Sequence, residues 1–368
     1  MSRANCISIV LFSLLLVFLP LSLSAAPKQE LDGYIEYRGF SVDDDRRGRE
    51  YGSFWHLRPK FKGKIGKGKF NITSDFSRRS GYVERSTGSD HDSDLARAYV
   101  EFNKGQWDLR AGKQAVHWGS AHIWNPTDPF PEVFIADPWA ERQGVIAFRF
   151  DRLIDEEKDE TLTLVALADD EVGRERRHVV RYSRLFNTTD FSFSVGYDDK
   201  MDTRWFGLDL RGEDTVGWWL EAVWREAPAP FDDWYEAVIG IDYSYDVKQG
   251  LLLALQYYRN TSDLITPATA GLGVGGSSTT AGRNHMSFTA TLTYDEDITP
   301  SLTILRNLDD DSMLLIPQVS WKLWGRDELI FGGRLGLNGP GAYDPSGAID
   351  PLGLVPERAY YLWLRRFF

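Results

Sequence analysis

Four basic side chains at every second position, Arg58, Lys60, Lys62 and Lys64, form the clearest chemistry-bearing pattern in the chain. A period of two puts them on one face of a β-strand, with Trp55, Leu57, Phe61 and Ile65 on the other. A cationic row of this kind attracts anions and polar hydroxyls but makes and breaks no bonds. Covalent chemistry is harder to find. His117 and His122 share a stretch with Asp128, Glu132, Asp137 and Glu141, but their spacing on a loop is no ligand pattern, and no metal is expected. Asp90, Asp92 and Asp94 alternate as in calcium loops, without the glycine and distant glutamate that such loops use. The GxGxxG spacing at Gly271–Gly276 follows Pro267 in a Gly/Ser/Thr-rich stretch and opens no helix, so no nucleotide site is expected. His56, His178 and His285 could each join a nearby Ser or Asp, yet nothing brackets them. No catalytic residue and no cofactor is expected.

The elements that position these residues are short and two-faced. Period-two runs recur at roughly 31–41, 53–65, 69–77, 95–103, 107–115, 144–151, 161–168, 178–186, 190–197, 204–212, 217–225, 235–246, 251–259, 285–294, 301–308, 312–324, 328–336 and 358–368. That predicts about eighteen strands, with sixteen as the rival count if the pair around 301–324 is misread. Each is near the length that a tilted strand needs to cross a bilayer. On several runs the faces separate cleanly. Phe191, Phe193, Val195 and Tyr197 oppose Ser192, Ser194 and Gly196; Met286, Phe288, Ala290 and Leu292 oppose Ser287, Thr289 and Thr291. The apolar set is assigned to lipid and the polar set to a lumen. Connections alternate between tight (66–68, 104–106, 187–189, 324–327) and long (78–94, 116–143, 260–284, 337–357), with an acidic stretch at 152–160 as a long exception on the tight side.

Composition agrees. Aromatic residues make up 14% of the chain and there are 33 glycines, yet no apolar run after the N-terminus is long enough for a membrane helix. The net charge of −12 disfavours nucleic acid. Residues 1–26 read as a signal peptide: Arg3, an apolar run from Ile7 to Leu23, then small residues at Ser24, Ala25 and Ala26. The one cysteine, Cys6, leaves with it, so the mature chain, 27–368, has no thiol.

The final strand, Arg358 to Phe368, alternates to a C-terminal phenylalanine. In this it resembles the outer-membrane β-barrel proteins of Gram-negative bacteria, whose closing strand ends in an aromatic residue read by their assembly machinery. Arg366 departs from that pattern, standing where an apolar residue is usual. The stretch from His117 to Gly144, with RAGKQ before it and ERQGV at its end, is similar to a segment of porin and alginate-export-like barrels. In classical porins the third long loop folds inward and sets the constriction, and its position matches here. The resemblance implies a solute-conducting barrel in the outer membrane. Both termini would be periplasmic, and lipid and lipopolysaccharide would surround it. Assembly would run through Phe368, with a homo-oligomer as one arrangement.

The resulting expectation is an all-β, antiparallel up-and-down barrel that conducts small or polymeric hydrophilic solutes, anionic or polyhydroxylated, by passive or substrate-biased diffusion. Arg58, Lys60, Lys62, Lys64, Arg110 and Arg149 would line the path. Trp118, Trp124, Asp128 and Trp139 would form the constriction loop. The inward charges could equally form salt bridges that only hold the lumen's shape. Two other classes stay open: a closed scaffold or sheath for a partner protein, a redox partner included, and a barrel hydrolase.

Overall fold

The computed structural model describes residues 29–44, 48–81, 90–129, 144–167, 177–199, 202–226, 232–262, 283–309, 311–323, 325–337 and 358–368. The expected signal peptide, the GxGxxG stretch and Trp139 lie outside them.

Eighteen strands follow one another: β1 (Glu30–Asp44), β2 (Gly48–Ile65), β3 (Gly68–Gly81), β4 (His91–Lys104), β5 (Trp107–Gln114), β6 (Val145–Asp155), β7 (Glu160–Leu167), β8 (Arg177–Phe186), β9 (Thr189–Asp198), β10 (Thr203–Glu213), β11 (Gly217–Glu226), β12 (Trp234–Tyr245), β13 (Leu251–Asn260), β14 (Asn284–Leu292), β15 (Ile298–Asn307), β16 (Met313–Lys322), β17 (Glu328–Leu337) and β18 (Arg358–Phe367). Each pairs antiparallel with its sequence neighbours, and β1 pairs with β18 from Tyr34↔Phe367 to Asp43↔Arg358. The sheet is therefore a closed barrel with no free edge. The pair in doubt is real: Leu302↔Pro317 and Ile304↔Leu315 are partners in β15–β16, which rules out sixteen.

The two faces follow from the alternation. Ile239 (55% exposed), Ile241, Phe331 and Leu362 stand outward on their strands, while Glu236, Trp363 and Tyr361 on the intervening positions are buried inside. Apolar side chains exposed in such numbers around a closed sheet form the lipid-facing band of a membrane barrel.

One end carries only tight turns. Gly66, Gly105, Asn187 and Gly325 adopt positive φ there (59°, 59°, 53° and 65°), the conformation that short hairpins demand. The strand ends at Glu30 and Phe368 lie at this end too, where Gly33 and Phe368 exchange backbone hydrogen bonds of 3.1 and 3.0 Å. The stretch 152–160 is not a long connection. β6 continues to Asp155, and the turn is only 156–159, closed by the Asp159 N–H donating to the Glu156 carbonyl at 3.3 Å. At the other end the connections are mostly long, up to the 115–144 segment, although 45–47 and 199–202 are short.

Candidate functional site

The 115–129 stretch does not stand out into solvent. It runs inside the barrel and packs on the wall from β6 to β16. Trp118 joins Val145, Val165, Val179, Trp205 and Val223 in one apolar cluster. Ala121 and Trp124 join Trp219, Val238, Ala254, Tyr258, Leu305, Leu314 and Ile316 in another. His122 stacks on Trp219 with ring centroids 4.5 Å apart, and Trp124 stacks on Tyr258 at 5.3 Å. These wall residues are on the inward set of their strands, so on this side the lumen face mixes apolar side chains with the expected polar ones such as Ser192, Ser194 and Ser287. The apolar side chains are there because the loop covers them.

Polar anchors fix the loop's register. Glu221 on β11 is fully buried and accepts hydrogen bonds from the N–H groups of Ser120 (2.7 Å), Ala121 (2.8 Å) and Thr127 (3.1 Å) and from the Thr127 hydroxyl (2.7 Å). Asp209 on β10 accepts from the Ser120 hydroxyl and from Arg181. Gln256 on β13 accepts from the His122 N–H at 3.0 Å, and Arg177 donates to the Pro129 carbonyl at 2.8 Å. Gly119 makes the close approach feasible: its φ is +98°, and a Cβ there would lie 2.9 Å from a Glu221 carboxylate oxygen. Asp128 is buried; its N–H closes a turn on the Asn125 carbonyl, and its carboxylate meets His117 Nδ1 at 3.0 Å. Of the expected constriction residues, Trp118 and Trp124 are thus held against the wall, and Asp128 is buried in the loop's own turn.

The opposite wall is charged. β2 lies nine places from β11 in a ring of eighteen strands, half-way round. Arg58, Lys60, Lys62 and Lys64 alternate there with the outward Trp55 and Leu57, and so face inward. Neighbouring strands extend them into rows: Lys64, Lys69, Glu101, Arg110 and Arg149 are successive cross-strand partners from β2 to β6, and Lys60, Thr73 and Arg97 from β2 to β4.

Most of these charges are matched. Arg58 bonds Asp75 through Nε and Nη2, and His56 meets the same carboxylate at 2.9 Å. Arg110 bonds Glu101 at 2.8 Å, Arg149 bonds Asp151 at 2.7 Å, and Lys62 bonds Asp32 at 3.2 Å. At the β1–β18 seam the fully buried Glu36 takes both Arg38 and Arg365. Among the described residues Lys60, Lys64 and Arg97 have no carboxylate within ion-pair distance, and Lys60 instead lies 5.7 Å from the Tyr34 ring. The six basic residues expected to line the path all stand on this wall, but four of them, Arg58, Lys62, Arg110 and Arg149, are tied into ion pairs.

The other candidate chemistry resolves into structure. Asp92 and Asp94 lie at the start of β4 rather than in a loop, with Asp90 just before it, and they face Arg79 (3.7 Å) and Lys113 (3.2 Å) on adjacent strands. His178 is on the outward face, His285 is fully buried beside Trp124, and His56 shares Asp75 with Arg58. Among the described residues no three metal-ligating side chains come together. Burial holds the His122 imidazole below its usual pKa. Asp242, 3.6 Å away, pulls the other way and Arg211 pushes with burial.

No protein-family model and no curated protein sequence matches the chain. Solved structures match it in fold. OpdG (OccK9) of Pseudomonas aeruginosa aligns over 93% of this chain and 98% of its own, with TM-score 0.64 and 9% identity. OccAB1 of Acinetobacter baumannii aligns over 92% and 96%, with TM-score 0.62 and 11% identity. The outer membrane protein OpdK of P. aeruginosa aligns over 92% and 98%, with TM-score 0.61 and 10% identity. At these identities the likeness is one of fold, and it extends over nearly the whole barrel.

Proposed function

We propose that the chain is an outer-membrane channel that passes small hydrophilic solutes and favours anionic or polyhydroxylated ones. The observation that carries this reading is the lumen's division into two walls. The loop is pinned on one, and the other presents rows of fixed charge with a basic surplus at Lys60, Lys64 and Arg97, which meet no carboxylate among the described residues. A scaffold built to grip a partner would need neither. Fixed charges along a passage bias which solutes enter it. The fold neighbours fit: OpdK is an outer membrane protein, and one of its structures holds vanillate, a carboxylate.

In this reading the tight-turn end is periplasmic, residues 1–26 are removed on export, and Phe368 is the residue read during assembly. Trp118, Trp124 and Asp128, with Trp139 beyond the described residues, belong to the constriction. Lys60, Lys62 and Lys64 meet the solute. Arg58, Arg110 and Arg149 hold the wall's paired geometry and add to its field. Transport is diffusion shaped by charge and width, with no bond making.

The test is single-channel recording of the refolded protein in a planar bilayer under a salt gradient. Stable open steps with anion preference are expected, and Lys60→Glu should lower that preference. Silence from a folded, heat-modifiable barrel would overturn the channel in favour of the scaffold.

A further inference from the structure

We propose that His117 and His122 are the selectivity-determining residues on the loop side of the passage, and that their protonation makes the channel more anion-selective as pH falls. This rests on the channel reading above. The geometry behind it is the loop's own exposure pattern. From 115 to 129, these two histidines are the most exposed of the described residues, His117 more than His122; every other described residue of the stretch is buried or partly so. His117 leans on the loop's own Asp128 and His122 on Trp219 of the wall, and each keeps part of its ring open to the barrel interior in which the loop runs.

The chain has six histidines, and the other four cannot serve. His56 and His285 are buried, His178 is outward, and His91 begins β4 at the long-loop rim beside Asp90. Histidine is the side chain that ordinarily changes charge between pH 5 and 8. Titrating this loop therefore adds positive charge to a passage whose other side already carries Lys60 and Arg97.

The surroundings of the two differ. His117 is 54% exposed in its side chain and faces the buried Asp128 at 3.0 Å, so its ring stays in contact with the water of the passage. His122 lies on Trp219, with Asp242 at 3.6 Å and Arg211 acting on it, and burial holds it neutral to lower pH. Gln256, which takes its backbone N–H, adds no charge. The His122 share of the change should therefore fall in the acid part of the range.

The experiment is reversal potential under a salt gradient, read from pH 8 to pH 5 on the wild type and on H117N, H122N and the double variant. The wild-type anion-to-cation permeability ratio should rise roughly twofold for each histidine charged, the size expected of one unit charge acting across several ångströms of water-like medium. The double variant should change clearly less than the wild type across that range, since only the lumen carboxylates remain to titrate. H117K should show raised anion preference already at pH 8 and a smaller further change, and this arm does not depend on the packing of His122. Heat-modifiability on gels checks that each variant folds. A conducting wild type whose ratio does not change with pH, or a double variant that changes as the wild type does, overturns the inference and leaves the channel standing. Absence of conductance at every pH overturns the channel itself.

Discussion

Glu221 is a carboxylate buried with no cation bonded to it among the described residues. It stays there because the loop supplies four donors, three of them backbone N–H groups. Glu221→Gln keeps one acceptor oxygen and turns an NH2 toward the remaining donors. Each orphaned donor costs about 1–3 kcal/mol, so docking should weaken by roughly that amount. The loop should then be nicked by added protease faster than in the wild type, while the unfolding temperature of the barrel barely moves. Equal protection of both proteins would show that Glu221 is not the latch. None of this was visible in the sequence. Parity alone pointed Glu221 inward, but its partners lie about a hundred residues away, and only closure of the barrel brings them together. The basic row was legible because four alternating cations on an otherwise amphipathic strand must turn away from lipid and toward water. That Arg58 would be claimed by Asp75 and Lys60 by no carboxylate among the described residues was not, since both depend on which residue of β3 faces which of β2.

At the scale of the strand, the sequence spoke clearly wherever one face had to meet lipid. β8 to β13 were placed to within a residue or so at each end. β1 and β2 ran longer than expected, to Asp44 and from Gly48, because beyond the lipid band a hairpin can continue with polar residues on both faces, as Ser41, Asp43, Arg49 and Glu50 show. The inner face departs from a purely polar one on β11, β12 and β15 for the opposite reason: Trp219, Val238 and Leu305 are apolar on the lumen side because they belong to the loop's core, whereas Ser287 on β14 is inward as expected. The seam between β1 and β18 has its own device. Glu36 on β1 takes Arg38 from its own strand and Arg365 from β18, and Arg365 also approaches Glu328 on β17 at 3.9 Å. Breaking a buried network by removing one partner typically costs about 3–5 kcal/mol. Arg365→Ala should therefore lower the temperature at which the folded gel band is lost. Arg366→Ala, outward, 74% exposed and 3.8 Å from Asp327, should leave it within error. Equal effects from the two would mean that the seam is held by its backbone ladder alone.

At the scale of the whole molecule, two tasks are separated. The ladder of eighteen strands closes on itself without help from the loop, since every strand has both neighbours. The loop lies on that finished wall and narrows what the ring encloses. Replacing residues 120–138 with a short Gly/Ser linker tests the separation. The barrel should still fold and remain heat-modifiable, somewhat less stable because Trp219, Tyr258, Leu305 and Leu314 lose their cover. Single-channel conductance should rise several-fold, since a barrel of this strand number encloses an aqueous width once its interior is cleared. The pH dependence of selectivity should lose the His122 share, and what anion preference remains should come chiefly from the β2–β4 wall. Unchanged conductance in a folded variant would mean that the narrowest point lies elsewhere, and that the loop braces the wall rather than sets the pore. A variant that fails to close would mean that the loop is part of the barrel's folding core, and the two tasks would have to be treated as one.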